Sequence, residues 1–67
     1  MKKIYEVGFY EDGGGFVLRF DWDKDNAPTK ENVLQIFEDG TDDNEVAKKN
    51  CESWKPYLDM STLRECV

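Results

Sequence analysis

Apolar and polar residues alternate along the first third of the chain, and this pattern predicts two β-strands. In KIYEVGFY the side chains of Tyr5, Val7 and Phe9 share one face, because successive side chains of a strand point to opposite sides of a sheet. In FVLRFDW the apolar face consists of Phe16, Leu18, Phe20 and Trp22. The other face of that segment consists of Val17, Arg19, Asp21 and Asp23. The glycines of EDGGG, between the two segments, tolerate the backbone angles of a tight turn, so an antiparallel hairpin is expected.

The next segment changes to the helical period. Val33, Ile36 and Phe37 recur at helical spacing in KENVLQIFED, and Thr29 stands before them as an N-terminal cap. Gly40 follows this segment, where it is expected to end the helix in the left-handed conformation. The pattern therefore predicts a first short helix over residues 30–39.

A second helix is predicted directly after the first. Thr41 or Asp42 is expected to cap it, and Asp42 and Glu45 have the spacing of a capping box. Its apolar stripe consists of Ala47, Cys51, Trp54 and Leu58. Pro56 lacks a backbone donor and clashes with the preceding turn, so the helix is expected to end or kink near Trp54.

The last residues, MSTLRECV, fit either a third strand or another helical turn. We favour a strand, because a lone two-stranded hairpin is marginally stable and a third strand widens the sheet that the helices cover. The sequence thus predicts a single α+β domain over residues 1–67. Its N-terminal antiparallel β-hairpin, with the C-terminal strand as a third member of the sheet, packs against two short helices.

Charge and size narrow the possible functions. Fifteen acidic and nine basic residues give a net charge of -6. The negative electrostatic potential of such a protein repels nucleic acid and anionic membranes and attracts basic surfaces. We therefore expect no direct binding to nucleic acid or membrane. The expected partner is a basic protein surface, such as that of a nucleic-acid-binding protein or complex. Nine aromatic residues supply the apolar area that lets so short a chain fold.

Several kinds of chemistry have no support in the sequence. The chain contains no histidine, the commonest general base, and neither Cys51 nor Cys66 has an activating partner in sequence. No phosphate loop, metal-ligand cluster or dinucleotide fingerprint is present, so we expect no enzymatic activity and no cofactor. No apolar run is long enough for a signal peptide or a membrane helix. We expect a cytoplasmic protein whose cysteines are free, buried thiols.

One stretch, DWDKDNAPTKEN, has the spacing of a calcium loop at its start. Asp21, Asp23 and Asp25 occupy the first three ligand positions, but Asn32 stands where the loop needs a bidentate glutamate, and Glu31 is one place early. The alternation before Asp21 also predicts a strand where a calcium loop of this type is preceded by a helix. We therefore interpret Asp21 and Asp23 as outward positions of the second strand and Asp25 as part of the following turn, and we expect no metal site.

The acidic residues fall into two groups that are candidates for partner binding. The first acidic group comprises Asp21, Asp23 and Asp25. The second acidic group comprises Glu38, Asp39, Asp42, Asp43 and Glu45. The pattern allows the two groups to lie at one end of the sheet or at opposite ends. Solubility and helix capping are an alternative explanation for these acids.

Two tyrosines are candidate anchors for such a partner. Aromatic residues carry much of the affinity of an interface, whereas charge raises the association rate and selects the partner. Tyr10 lies on the strand face opposite Phe9, and Tyr57 lies beside Pro56. In the alternative interpretation, Tyr57 packs in the core, and Tyr10 covers a second side of the sheet together with Ile4.

A short acidic chain with a hairpin, two short helices and a last strand resembles the small phage-encoded anti-defence proteins, especially anti-CRISPR inhibitors that mimic the charge of nucleic acid. The likeness covers the whole chain in size, charge and element order. It implies a non-catalytic inhibitor or decoy that occupies a basic, nucleic-acid-binding surface, in the host cytoplasm if the protein is phage-encoded. The alternative is a small structural or adaptor module that self-associates through a sheet edge, so a monomer and a homodimer both remain open.

Overall fold

The computed structural model describes residues 2–66, and within that range it contains three strands and two α-helices. The elements are β1 (Lys3–Glu11), β2 (Gly14–Trp22), α1 (Lys30–Asp39), α2 (Glu45–Trp54), a 3₁₀ turn (Lys55–Tyr57) and β3 (Leu58–Cys66). The sheet order is β2-β1-β3, and both neighbours are antiparallel to β1. The predicted α+β fold, with its N-terminal hairpin and its third strand, is confirmed.

The hairpin pairs without interruption. Its register runs from Lys3 opposite Trp22 to Glu11 opposite Gly14. Residues 12 and 13 form the turn, and Gly14 has a φ of 148°, the only positive φ between residues 2 and 66. A side chain at that φ would be strained, so the glycine is what lets the second strand leave the turn in register.

The helices pack on one face of the sheet, which is the apolar face predicted from the alternation. The buried hydrophobic residues are Tyr5, Val7, Phe9, Phe20, Trp22, Val33 and Cys51. Phe37 of α1 lies with its ring centroid 4.7 Å from that of Phe9. Trp54, the last residue of α2, meets Phe16 at 5.0 Å, edge to face. The ends of both helices therefore lie over the part of the sheet nearest the hairpin turn.

None of the helices that the structure describes covers the opposite face of the sheet, here called the open face. Its central row is Ile4, Glu6, Gly8 and Tyr10 of β1, and its flanks are Val17, Arg19 and Asp21 of β2 and Arg64 and Cys66 of β3. Ile4, Tyr10 and Val17 are 43%, 48% and 53% exposed. Large apolar side chains with this exposure show that the open face is in contact with water.

Both ends of α1 lie at the predicted residues, but the conformation of its C-terminal cap differs from the prediction. The Thr29 side chain accepts a hydrogen bond from the Asn32 backbone N–H at 3.2 Å, and the Asn32 side chain accepts from the Thr29 backbone N–H at 3.0 Å. The prediction of a left-handed Gly40 is wrong, because its φ is -84°. The Thr41 hydroxyl instead donates to the Phe37 carbonyl at 2.8 Å. This bond satisfies a terminal carbonyl without a left-handed residue.

The predicted cap of α2 is also wrong. Asn44, and not Thr41 or Asp42, caps the helix, and its side-chain oxygen accepts from the Ala47 backbone N–H at 2.8 Å. The predicted capping box of Asp42 and Glu45 is therefore absent. The segment TDDN offers four residues in a row that cap helices well, and their propensities are too similar for sequence to choose between them.

The proline after α2 acts as predicted. The helix ends at Trp54, and Pro56 lies in the single 3₁₀ turn that follows. β3 begins at Leu58, two residues before the segment in which the third strand was predicted. No helix among the residues described has both the length and the apolar content that a membrane crossing requires.

A bulge interrupts the pairing of β3 with β1. Arg64 lies opposite Glu6 and Asp59 lies opposite Gly8, so residues 60–63 of β3 face the single residue between Glu6 and Gly8. The Gly8 backbone N–H donates to the Thr62 hydroxyl at 2.7 Å. A side-chain oxygen thus replaces the strand carbonyl that the bulge removes.

Candidate functional site

The two acidic groups lie at opposite ends of the sheet. The first follows the end of β2, where Trp22 pairs with Lys3. The second begins at the end of α1, where Phe37 packs against Phe9 and Phe16 near the hairpin turn. Phe16 and Trp22 are six residues apart on β2, a distance of about 20 Å at the rise of a strand. A partner that contacted both groups would have to span this distance.

The first acidic group is spread over a strand end and a loop. Asp21 lies on the open face, with its carboxylate 3.5 Å from the Lys2 ammonium. Asp23 lies outside the strand, contrary to the prediction, because β2 ends at Trp22. The Trp22 indole N–H donates to the Asn26 carbonyl at 2.6 Å, which holds the following loop against the strand end. Between residues 2 and 66, no three Asp, Glu, Cys or His side chains cluster closely enough to hold a metal ion.

Lysine neutralises part of the second acidic group. The Lys55 ammonium lies 2.8 Å from the Glu52 carboxylate and 3.4 Å from that of Glu38. The hydrogen bond to Glu52, and then the contact with Glu38, raise the pKa of Lys55 against the opposing effect of burial. Glu38 is therefore tied to the end of α2 and is less available to a partner than its position in the sequence indicates.

The rest of the second group differs in its pairing. Asp43 lies 2.8 Å from the Lys48 ammonium. Asp39 accepts a hydrogen bond from a glutamine amide of α1 at 2.8 Å. Asp42 and Glu45 are exposed and have no ion pair in the part of the chain described. Asp39, Asp42 and Glu45 are thus the members whose charge is not offset by a lysine.

A cleft of about 380 Å³ lies between the two helices. Its lining consists of Glu38, Thr41, Asp43, Lys48, Cys51 and Glu52. Each of its three carboxylates has a lysine partner, through either Lys55 or Lys48. The cleft is therefore part of the contact between the two helices, and its carboxylates are already paired with lysines of this chain.

The two predicted aromatic anchors come together at the hairpin end. Pairing of Phe9 with Leu58 brings the residues next to them, Tyr10 and Tyr57, to the same end of the sheet. They border a groove of about 400 Å³, here called the hairpin-end groove, which is lined by Tyr10, Glu11, Asp12, Gly13 and Tyr57. Tyr10 is 48% exposed and Tyr57 is 43% exposed. The groove combines two accessible rings with two carboxylates, and none of its described lining residues is a lysine or an arginine.

The rings of Tyr10 and Tyr57 each pack against other residues of the chain on the side away from solvent. A Cβ atom on Gly8 would lie 2.1 Å from the ring of Tyr10, and one on Gly15 would lie 2.6 Å from it, so the ring rests on two glycines of neighbouring strands. Tyr57 meets Trp54 edge to face, with a centroid distance of 5.9 Å. Tyr57 therefore packs against a core aromatic, as one interpretation predicted, and still presents part of its ring to solvent.

The sequence pattern does not predict the ionic cluster on the open face. Glu6 lies between Arg19 and Arg64, and its side chain is 10% exposed. The Arg19 guanidinium donates to one carboxylate oxygen at 3.1 Å, and Arg64 donates to the other. The hydrogen bond from Arg64, and then that from Arg19, lower the pKa of Glu6, although partial burial opposes the shift. The register of the predicted hairpin places Glu6 opposite Arg19. The contact with Arg64 depends on the pairing of β3 with β1, which the sequence pattern does not specify.

The cysteines occupy different environments. Cys51 is buried, as expected, whereas Cys66 is half-buried on the open face opposite Ile4. The hydrogen bond to Glu6 raises the pKa of Arg19, and Cys66 lines a pocket together with Glu6, Arg19 and Arg64. Cys66 therefore belongs to the surroundings of the arginines and not to the core.

No protein-family model, curated protein or solved structure matches this chain. The resemblance to anti-CRISPR inhibitors therefore stays a prediction.

Proposed function

We propose that this protein is a non-catalytic, acidic binding module that uses its hairpin end to occupy a basic surface of another protein. The observation that carries the proposal is the hairpin-end groove, where two exposed tyrosines converge with Glu11 and Asp12. The second acidic group begins at the same end, because the end of α1 packs beside the hairpin turn. One end of the molecule thus combines aromatic anchors with unpaired negative charge.

The two tyrosines and the nearby carboxylates of the hairpin end contribute to binding in different ways. Ordering a free side chain on binding costs about 0.5–1.5 kcal/mol, and support from below reduces that cost for Tyr10 and Tyr57. The exposed carboxylates contribute mainly to the rate of association and to the choice of partner. Tyrosine rings that are already positioned, next to carboxylates of uniformly negative charge, together favour a specific basic partner.

A nucleic-acid-binding surface is the partner class that the charge favours most. Such surfaces present lysine and arginine to the regularly spaced phosphates of nucleic acid. Glu11, Asp12, Asp42 and Glu45 have no lysine or arginine partner within the range described, so they are available to such a surface. The proposed activity is inhibition by occupancy, in the host cytoplasm if the protein is phage-encoded.

A pair of charge variants tests which end of the molecule binds. Glu11→Gln with Asp12→Asn removes two carboxylates from the hairpin end. Asp23→Asn with Asp25→Asn removes the same charge from the opposite end. Asparagine suits turns as aspartate does, so both variants should fold. We expect the first variant to lose most capture of basic proteins from a bacterial lysate at low salt, and the second to retain it.

The same capture experiment is repeated at high salt. Capture by the wild type should fall as salt rises, since exposed charges are screened beyond a Debye length of about 8 Å at physiological ionic strength. Equal capture by both double variants, or capture that salt does not change, would remove the hairpin end as the binding site.

A further inference from the structure

The outer edge of β2 is open and regular. β2 is nine residues long, pairs with β1 without a bulge and contains no proline. β3, the other edge strand, carries the bulge at residues 60–63, and bulges are one of the features that protect an edge from pairing with another chain. The two edges of this sheet therefore differ, and β2 is the one without a bulge.

The hydrogen-bond pattern of the sheet determines which backbone N–H and C=O groups of β2 point away from β1. The Gly8 N–H donates toward β3, so the even-numbered residues of β1 face β3 and the odd-numbered ones face β2. Val7 pairs with Leu18, so Leu18 and the alternate residues face β1. The N–H and C=O groups of Val17, Arg19 and Asp21 therefore point to the free edge, and no hydrogen bond of theirs outside the sheet occurs between residues 2 and 66.

The sequence at this edge is self-complementary. The segment reads Leu18, Arg19, Phe20, Asp21, Trp22, with opposite charges on either side of Phe20 and an apolar residue at each end. We propose that β2 pairs antiparallel with β2 of a second copy of this chain, in the register centred on Phe20. Arg19 then lies opposite Asp21 of the second copy, and the two-fold axis repeats the pair. Leu18 lies opposite Trp22 of the second copy, so the two sheets join into one of six strands.

Charge separates this register from its neighbours. Centring the pair on Arg19 would place two arginines directly opposite each other, and centring it on Leu18 would place Arg19 opposite Val17 and Asp21 opposite Gly15. Only the register centred on Phe20 gives both charges of the edge an opposite partner, and cross-strand pairs of opposite charge stabilise a sheet. The Arg19 side chain is 68% exposed, and its guanidinium has donors beyond the one that contacts Glu6.

The association should be weak and should depend on concentration. A short overlap at one strand edge buries far less surface than a standard interface. The net charge of -6 on each copy opposes association at low ionic strength, so the measurement belongs at physiological salt. The proposal does not rest on the proposed function, since the edge of β2 and the hairpin-end groove are separate surfaces.

Sedimentation of the wild type and two charge reversals tests the register. We expect the wild type to shift from monomer to dimer as its concentration rises from micromolar to millimolar. Asp21→Lys should stay monomeric, because it places a lysine opposite Arg19 of the second copy. Asp23→Lys makes the same change of charge two residues away, opposite Val17, and should dimerise at least as well as the wild type. A monomeric wild type, or two reversals that behave alike, would overturn the proposal.

Amide hydrogen exchange gives an independent readout of the edge. The backbone amides of Arg19 and Asp21 should exchange slowly in a concentrated sample and rapidly in a dilute one. The Leu18 and Phe20 amides face β1 and should be protected in both samples. A dimer in which the Arg19 and Asp21 amides stay unprotected would exclude the β2 edge as the interface. None of these variants alters the hairpin-end groove, so loss of the dimer and loss of lysate capture are separate results.

Discussion

At the scale of single residues, burial and charge oppose each other at Glu6. A carboxylate on a central strand, 10% exposed, is costly unless its oxygens have donors. Arg19 and Arg64, from the two flanking strands, each supply one. Their hydrogen bonds outweigh the effect of burial and hold the pKa of Glu6 below its ordinary value of 4.5. Glu6 therefore links all three strands through its ionised form.

The pH dependence of stability follows from that shift. Because the pKa of Glu6 is lower in the folded than in the unfolded chain, its stabilising contribution is complete above about 4.5 and is lost as the pH falls through the folded value. We expect Glu6→Gln to melt at a lower temperature than the wild type at neutral pH, with a difference that shrinks well below pH 4.5. Thermal melts across this range measure it.

The matched control for that change is Glu65→Gln. Glu65 lies on β3 with its side chain 47% exposed, and its only ion pair in the described range is with Lys3 at 3.9 Å. Exposed pairs of this kind contribute little, so the melting temperature should change little at any pH. A gap between Glu6→Gln and the wild type that stays constant with pH would show that shape, and not charge, is what Glu6 supplies.

At the scale of elements, the sequence predicts those whose signals are local. α1 spans the predicted residues, because Thr29 is the one good cap directly before an apolar stripe and Asn32 completes its capping box. The end of α2 is predictable because Pro56 acts on its own helix. The bulge of β3 is not predictable, since it depends on the contact of Thr62 with Gly8, residues 54 apart in the chain.

The cap of α2 supports a prediction of its own. Asn44→Ala should destabilise the protein by about 1 kcal/mol, since it leaves the Ala47 N–H without its acceptor. Asp42→Ala should have a smaller effect, because Asp42 makes no side-chain hydrogen bond to the helix in the range described. Denaturant unfolding of both variants measures the difference. A larger loss for Asp42→Ala would restore the cap that the sequence predicted.

At the scale of the whole molecule, the sequence identifies the types of residue at the candidate site but not their arrangement. The two acidic groups are visible in the sequence, yet their separation depends on α1 running back over the sheet until Phe37 reaches Phe9. The meeting of Tyr10 and Tyr57 depends on the pairing of β3 with β1, in which Phe9 lies opposite Leu58, 49 residues further along the chain. Such contacts belong to the tertiary fold, which no local pattern encodes.

The charge of the second acidic group gives a prediction for the whole surface. Replacing Asp39, Asp42 and Asp43 together by Asn keeps the shape of the side chains, so stability should change little. If these charges steer a basic partner captured from the lysate, association should slow and its salt dependence should flatten. Lys48→Gln with Lys49→Gln is the opposite control: it makes the protein more negative and frees Asp43 from Lys48, so association should be as fast as in the wild type or faster. Stopped-flow association rates against salt for the three proteins decide the matter, and three superimposable curves would leave the second acidic group with a role in solubility alone.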